Sequence, residues 1–307
     1  MSQLYDLIII GAGPAGLAAG LYAGRYRLNT LIFEKMVVGG QIMLSPSIEN
    51  YPGFPEGITT DELVTRFKKH AIDTGVKIIE EEITGFSCVD SNGIIYEVKT
   101  EGNIYKTKSI ILATGAQAKQ LGVPGETRLT GRGVSYCGTC DGPLFRNKDI
   151  VVVGGGDRAI EEAIYLSGYA SNVTVIHRRD ELRASQILVE KAKENPKIKF
   201  ILSNTLEEIY GKDRVEGIKI KNLKSGVVSD FSCQGVFIFV GIRPNTSFLK
   251  DMVKIDEGGF ILTDEDMRTN LKGIFAAGDC RKKSLYQVIC ASSDGAVAAH
   301  LAHKYLL

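Results

Sequence analysis

The chain has 307 residues, of which 44% are hydrophobic and 24% charged, a composition typical of a globular protein with about two domains of roughly 150 residues. Its 37 Lys and Arg residues nearly balance its 36 Asp and Glu residues, so the net charge favours neither nucleic acid nor a membrane surface as a partner. The apolar runs are shorter than the roughly 20 residues that cross a bilayer, and the N-terminus lacks the basic region of a signal peptide, which together predict a cytoplasmic protein.

The first predicted element is a buried strand from Leu7 to Ile10, which runs into a glycine-rich turn and then a helix-forming segment. Glycines in such a turn let the backbone approach a pyrophosphate, and the helix N-terminus favours its negative charge. Glu34 ends the next apolar strand, where its carboxylate can accept hydrogen bonds from an adenosine ribose. The predicted pyrophosphate cradle comprises Gly11, Gly13, Pro14, Ala15 and Gly16.

The segment from 93 to 115 alternates apolar and polar residues around Gly102-Asn103. This pattern predicts an antiparallel hairpin that leads into a buried strand.

Two cysteines, Cys137 and Cys140, follow in "RGVSYCGTCDGPLF". Paired thiols at this spacing suit a zinc site, a structural cross-link or a redox dithiol, but structural zinc needs four ligands. The chain has no second such pair and no histidines spaced to complete a site, so we expect no metal. The remaining cysteines, Cys88, Cys233, Cys280 and Cys290, are expected to be reduced, and His300 and His303 to be surface or packing residues.

The glycine pattern recurs in "DIVVVGGGDRAIEEA", displaced by 143 residues (154 − 11 = 143), with Gly154, Gly156 and Ala159 in place of the three glycines. At this offset Glu34 corresponds to His177, which is followed by a basic segment. Arginines there can pair with a ribose 2′-phosphate, whereas an acidic residue would repel it. The first turn therefore suits FAD or NAD, and the second suits NADPH. The alternative for the arginines after His177 is a solvated basic turn that binds no phosphate. The second site adds Asp157, Arg158, Arg178, Arg179 and Arg183.

A third glycine signal lies in "LKGIFAAGDCR", where a short strand ends at Gly278-Asp279. Such a turn can present a carboxylate to a polyol such as the ribityl chain of a flavin, or it can be an ordinary turn. Because the first and third signals lie at opposite ends of the chain, we predict an α/β protein with two Rossmann-like, three-layer (ββα) nucleotide-binding domains, the second inserted into the first. The predicted bounds are 1–115 and 245–307 for the FAD domain and 116–244 for the NADPH domain that carries the CxxC.

Two nucleotide sites would supply the CxxC with electrons, which favours a redox dithiol over an inert pair. Asp141, next to Cys140, can exchange a proton as the thiols change state.

These motifs, together with "GGQ" (39–41), "ENYPG" (49–53), "ATGA" (113–116) and "HRRDELR" (177–183), resemble those of the low-molecular-weight, bacterial-type flavin thioredoxin reductases along essentially the whole chain. The resemblance implies a homodimer in which NADPH reduces FAD and the flavin reduces a Cys137–Cys140 disulfide. Cys140 then interacts with the flavin, Cys137 attacks thioredoxin or a thioredoxin-like protein, and Asp141 acts as the acid.

The resemblance also implies that the inserted domain rotates between two arrangements, with the loops near 113–126 and 241–248 as hinges. It places further residues at the FAD: Glu34, Lys35, Gly40, Gln41, Asn50, Thr114, Gly115, Gly278, Asp279 and Gln287.

Two positions depart from the family pattern. Arg158 stands where a small hydroxyl residue is common, and Tyr286 replaces the usual arginine before Gln287. Both bear on the electron donor, so three alternatives stay open. They are a ferredoxin-dependent thioredoxin reductase with a weakened NADPH site, a flavin-dependent dithiol oxidase, and a redox-sensing module without catalysis. The arginines of "HRRDELR" argue against the oxidase.

Overall fold

The computed structural model describes residues 3–44, 47–48, 50–89, 94–136, 138–249 and 252–307. In chain order, the first part contains β1 (Leu4–Ile10), α1 (Pro14–Arg25), β2 (Thr30–Phe33), β3 (Ser47–Ile48), β4 (Ile58–Thr59), α2 (Thr60–Ile72), β5 (Lys77–Ile79), β6 (Gly85–Cys88), β7 (Tyr96–Lys99), β8 (Ile104–Leu112) and β9 (Ala116–Ala118).

The middle part contains α3 (Glu126–Leu129), β10 (Val134–Ser135), α4 (Gly138–Asp141), β11 (Asp149–Val153), α5 (Asp157–Ser167), β12 (Asn172–His177), α6 (Gln186–Glu194), β13 (Ile198–Leu202), β14 (Asn204–Tyr210), β15 (Gly217–Asn222), β16 (Val228–Ser232) and β17 (Gly235–Ile238). The last part contains β18 (Ile242–Pro244), β19 (Ile274–Ala276) and α7 (Val288–Leu306). Short 3₁₀ helices cover Gly40–Leu44, Gly142–Phe145, Ser247–Leu249 and Gly278–Cys280.

The chain divides into two compact units, one formed by residues 1–117 and 243–307 and the other by residues 118–242. The first unit therefore contains both ends of the chain, and the second is a continuous insertion. The chain passes from the first unit to the second after residue 117 and returns after residue 242.

The first unit is built on a sheet in the order β5-β2-β1-β8, in which these strands run parallel. β8 continues the sheet in two ways. Its first half pairs antiparallel with β7, which pairs with β6, and its second half pairs parallel with β19. The antiparallel pairing of β7 and β8 confirms the predicted hairpin.

The second unit has a parallel sheet in the order β10-β17-β11-β12-β13 and a separate antiparallel sheet, β14-β15-β16. Each unit thus combines helices, a parallel sheet and antiparallel strands. The predicted α/β class with two Rossmann-like domains is confirmed, whereas β14 to β16 were not predicted.

The two units share the strand register that the offset of 143 requires. In the first unit Leu7 faces Thr30 and Ile10 faces Phe33, and in the second Ile150 faces Val173 and Val153 faces Ile176. The side chains of both strands also alternate between the two faces of their sheet in the same way. Leu7 and Ile150 pack against helices, whereas Ile8 and Val151, which follow them, pack on the opposite face. The sequence repeat is therefore a structural repeat.

None of the helices in the described ranges is long and apolar enough to cross a membrane.

Candidate nucleotide and dithiol sites

The turn between β1 and α1 brings backbone segments into close contact. Gly11 has φ +107°, and a Cβ atom there would lie 2.2 Å from the carbonyl oxygen of Ala113 at the end of β8. A side chain at this position would force the strands apart, so only glycine fits. Gly13 caps α1 and Pro14 is its first residue, which leaves the first N–H groups of the helix without side-chain acceptors. This arrangement fits a pyrophosphate.

Glu34 is held beside this turn by backbone N–H groups. Its Oε2 accepts a hydrogen bond from the N–H of Ala12 (2.8 Å), and its Oε1 accepts from those of Lys35 and Met36 (3.1 Å each). The carboxylate is therefore oriented before any ligand binds. The side chain of Lys35 instead pairs with Glu82 on the surface, at 3.2 Å between Nζ and Oε1.

Other residues predicted for the flavin site lie in the same unit. The segment that leads to Gly40 and Gln41 contacts the turn, because Gly39 N–H donates to the Ala12 carbonyl at 2.9 Å. Asn50 and Gln287 are 237 positions apart, yet Asn50 Nδ2 donates to Gln287 Oε1 at 3.0 Å.

The backbone at Thr114 and Gly115 is held by a residue that the sequence did not indicate. Asn245 Nδ2 donates to the Thr114 carbonyl (2.9 Å), and Asn245 N–H donates to the Gly115 carbonyl (3.0 Å). An amide side chain in a loop gives no periodic signal, so this contact could not be predicted.

A buried ionic cluster surrounds the Gly278-Asp279 turn. Asp294 Oδ2 on α7 accepts from Gly278 N–H (3.0 Å) and lies 3.3 Å from Lys283 Nζ, which also pairs with Asp279 Oδ1 (3.2 Å). Arg281 adds a second cation, 3.6 Å from Asp294. The Lys283 side chain is only 8% exposed, so removing any one of these charges would leave its partner buried without a counter-charge. The sequence indicated Asp279 alone.

The second glycine turn repeats the close approach of the first. A Cβ atom at Gly154 would lie 2.4 Å from the carbonyl oxygen of Phe239, and Gly156 caps α5. Gly154 N–H donates to Ile176 at 3.0 Å, as Gly11 N–H donates to Phe33 at 2.7 Å. This turn also fits a pyrophosphate, with Ala159 buried behind it.

His177 occupies the place that corresponds to Glu34. Its imidazole lies against Gly155, where a Cβ atom would come within 2.5 Å of the ring. Burial lowers the pKa of His177, and the positive charges of Arg183, Arg179 and Arg178 lower it further. The ring is therefore neutral near pH 7.

The basic segment after His177 is tied to the glycine turn by its backbone. Arg183 N–H donates to the Gly155 carbonyl (2.6 Å), and Ser185 N–H donates to Asp157 Oδ1 (2.5 Å). The side chains of Arg178, Arg179 and Arg183 are exposed. Three guanidinium groups thus stand at the edge of the turn, where a phosphate could reach them.

Of the predicted dithiol, Cys137 and the side chain of Cys140 lie outside the described residues. The backbone of Cys140 lies in α4, which ends at the half-buried Asp141. Immediately before Cys137, the Tyr136 hydroxyl donates to Glu126 Oε1 at 2.7 Å.

Arg158 was predicted to belong to the second nucleotide site, and its guanidinium has two contacts among the described residues. Its Nη2 donates to the Tyr136 carbonyl (3.5 Å), and its guanidinium carbon lies 5.5 Å from the centre of the Phe239 ring. Glu162, one helical turn further along α5, is buried and was not predicted. Burial raises its pKa to about 7, opposed by the charge of Arg158.

The other departure from the family pattern, Tyr286, packs its ring 5.6 Å from that of Phe260 and 5.7 Å from Lys283 Nζ. It thus belongs to the surroundings of the ionic cluster at Asp279.

Among the described residues, Cys88, Cys233, Cys280 and Cys290 form no disulfide, and no group of three or more potential ligands could hold a metal ion. His300 Nδ1 lies 2.8 Å from the Tyr26 hydroxyl, and His303 stacks on the same ring at 4.4 Å. These histidines are packing residues.

Comparison with known proteins gives consistent matches over the whole chain. The family model for pyridine nucleotide-disulphide oxidoreductases matches residues 5–295. A thioredoxin reductase of Treponema pallidum (strain Nichols) is 47% identical over 306 residues, which cover 100% of this chain and 98% of the relative.

Two solved structures bear on the fold. The thioredoxin reductase of Lactococcus lactis matches with a TM-score of 0.94 at 43% identity, covering 98% of this chain and 99% of the other. A ferredoxin-flavin thioredoxin reductase of Clostridium acetobutylicum matches with a TM-score of 0.53 at 31% identity, covering 99% of this chain and 98% of the other.

Proposed function

The chain belongs to the thioredoxin reductases of the pyridine nucleotide-disulphide oxidoreductase family, and we propose from this premise that it passes electrons from NADPH through FAD and the Cys137–Cys140 disulfide to oxidised thioredoxin. The structural repeat carries this proposal. Two glycine turns with the same strand register support two dinucleotide sites, and the CxxC precedes the second turn in the sequence.

FAD is proposed to bind the first unit. Its pyrophosphate would lie at the N-terminus of α1, and Glu34 would accept hydrogen bonds from the adenosine ribose. The Asp279 carboxylate, fixed by Lys283, would face the ribityl chain. A flavin held there would supply two-electron chemistry between a nicotinamide and a disulfide.

NADPH is proposed to bind the second unit, with its pyrophosphate at the N-terminus of α5. The 2′-phosphate would pair with Arg178, Arg179 and Arg183, whose side chains are exposed beside the turn. The neutral, buried His177 supports this preference, because a carboxylate at that place would repel the phosphate.

At the dithiol, the family resemblance assigns the attack on thioredoxin to Cys137. Its sulfur would form a mixed disulfide with the partner, and Cys140 would then displace the partner and re-form the internal disulfide. Asp141 at the end of α4 would supply or accept the proton. The family resemblance also supports a homodimer.

Anaerobic titration of the purified flavoprotein with NADPH and then with NADH tests the donor. We expect NADPH to bleach the flavin absorbance rapidly and NADH to act weakly. A flavin that stays oxidised with both nucleotides, but bleaches with reduced ferredoxin, would refute NADPH as donor and favour ferredoxin dependence. Steady oxygen consumption driven by dithiols, without NADPH, would favour the oxidase.

A further inference from the structure

Two hydrogen bonds tie the segment 178–185, here called the arginine segment, to the second glycine turn. Arg183 N–H donates to the Gly155 carbonyl oxygen at 2.6 Å, and Ser185 N–H donates to Asp157 Oδ1 at 2.5 Å. The first bond joins two backbone groups, whereas the second needs the side chain of Asp157. Of these two anchors, the one at Asp157 therefore depends on the identity of a side chain.

Asp157 stands at a place where a negative charge is unfavourable for the proposed ligand. It is the first residue of α5, directly after Gly156, so its carboxylate lies at the helix end that fits a pyrophosphate. Like charges at short distance repel each other, and an acidic side chain there opposes phosphate binding. The carboxylate points to Ser185 N–H instead. Asp157 therefore serves the arginine segment rather than the phosphates.

We propose that Asp157 is a positioning residue for recognition of the 2′-phosphate, because it fixes the end of the segment that carries Arg178, Arg179 and Arg183. The three arginine side chains are exposed, and each loses conformational freedom when it pairs with a phosphate. A segment whose backbone is already fixed adds no backbone ordering to this cost. The inference deepens the proposed function and rests on NADPH as the ligand of the second unit.

Electrostatics and positioning predict opposite effects when Asp157 is replaced. Loss of a negative charge near a phosphate site should by itself strengthen the binding of a phosphate. Loss of the anchor should weaken it, because the arginine segment then spends part of its time in other conformations. Asp157→Ala removes the charge and the hydrogen-bond acceptor together. Asp157→Asn removes the charge and keeps an oxygen that can accept from Ser185 N–H.

The test measures binding and needs neither flavin reduction nor thioredoxin. The two probes are adenosine 2′,5′-bisphosphate and 5′-AMP, which differ in the 2′-phosphate alone. Their dissociation constants are measured by isothermal titration calorimetry on the FAD-loaded protein, so that the first glycine turn is occupied. The ratio of the two constants reports recognition of the 2′-phosphate.

Asp157→Ala should weaken binding of the bisphosphate and hardly change that of 5′-AMP. An arginine segment that keeps its place about a tenth to a third of the time raises the dissociation constant by about threefold to tenfold. The loss stays moderate because the Arg183 anchor remains and Leu182 still packs against the core of the unit. Asp157→Asn should bind the bisphosphate at least as tightly as the unaltered protein.

A second removal variant and a charge control complete the series. Asp157→Ser has a shorter side chain that does not reach Ser185 N–H from the same backbone position, so it should behave as Asp157→Ala does. Asp180→Ala removes an exposed acid of the arginine segment whose partner is Lys224, at 3.6 Å, and leaves both anchors intact. It should not weaken binding of the bisphosphate.

Amide hydrogen exchange in the ligand-free protein provides an independent measurement. Exchange in the peptide that contains residues 183–188 should be faster in Asp157→Ala and Asp157→Ser than in the unaltered protein, and unchanged in Asp157→Asn. Unchanged exchange in both removal variants would overturn the inference.

Unchanged or tighter bisphosphate binding in Asp157→Ala would also overturn it, as would equal losses for both probes or an equal loss in Asp157→Asn. An unaltered protein that does not prefer the bisphosphate to 5′-AMP would refute NADPH recognition, and the inference with it. If the preference and its loss in Asp157→Ala appeared but thioredoxin were not reduced, the proposed function would fail and the inference would stand.

Discussion

The Glu126 carboxylate joins Tyr136, the residue before the dithiol, to the loop that enters the second unit. Its Oε1 accepts the Tyr136 hydroxyl at 2.7 Å and Leu121 N–H at 2.9 Å, and its Oε2 accepts Gly122 N–H at 2.6 Å. Glu126 is only 1% exposed, so these donors meet the carboxylate where water is largely excluded. Burial, and then the hydrogen bond to Glu126, raise the pKa of Tyr136.

Replacing Glu126 by Ala should therefore destabilise the protein. Several buried donors would lose their acceptor at once, and each unsatisfied group costs about 1–3 kcal/mol. We expect the free energy of unfolding, measured with urea in the presence of FAD, to fall by about 3 kcal/mol. Tyr136→Phe removes one donor and should cost about 1 kcal/mol; equal losses in both variants would contradict this account.

Cys137→Ser separates the two half-reactions. Because the residue assigned to attack thioredoxin is lost while both nucleotide sites remain, NADPH should still reduce the flavin at a normal rate. Thioredoxin turnover should fall to background in a coupled assay. The control is Cys88→Ser, which changes an exposed cysteine of the first unit. Residual turnover in Cys137→Ser would show that another thiol is the nucleophile.

The double variant Arg178→Ala, Arg179→Ala tests recognition of the 2′-phosphate. Charge-assisted hydrogen bonds contribute about 1.5–3 kcal/mol each, so the KM for NADPH should rise at least about tenfold, with little change for NADH. Arg214→Ala, also an exposed arginine of the second unit, should affect neither cofactor. Equal losses for NADPH and NADH would mean that the arginines do not distinguish them.

Glu162 makes stability depend on pH in a defined direction. Its pKa is near 7 in the folded protein and near 4.5 when unfolded, so the folded state binds more protons between these values. The contribution of Glu162 to the free energy of unfolding is fully present below about pH 4.5 and is lost as the pH rises through 7. Glu162→Gln should therefore be more stable than the unaltered protein at pH 8, by about 2 kcal/mol, and should lose that advantage at pH 5.

Glu194→Gln, at an exposed glutamate of the same unit, is the matched control for this measurement, and its stability difference should not change with pH. A Glu162→Gln variant that is less stable at pH 8 than at pH 5, relative to the unaltered protein, would reverse the sign and exclude a buried carboxyl with a raised pKa.

The parts of the molecule that repeat were the parts that the sequence could predict. The offset of 143 placed Gly154 and His177 opposite Gly11 and Glu34, because a glycine turn between strand and helix has a local pattern. The parallel sheets and the hairpin at Gly102 also follow from local periodicity. The antiparallel sheet of β14 to β16 has a weaker pattern and was missed.

The buried charged groups could not be predicted in the same way. Glu126, Lys283 and Asp294 act through contacts between distant segments, and nothing in their local sequence marks them. Glu162 is different, because it lies on the face of α5 that carries Ala159 and Leu166, which are buried. An acidic residue on the apolar face of a helix was an available signal.

Position 155 offers a last consequence. Glu34 reaches the backbone of Ala12, and 143 residues later His177 packs on Gly155, where even a methyl group would collide with its ring. Copying Ala12 of the first unit to position 155 would therefore displace the His177 ring from its present place, so the residues at 155 and 177 have to be exchanged as a pair.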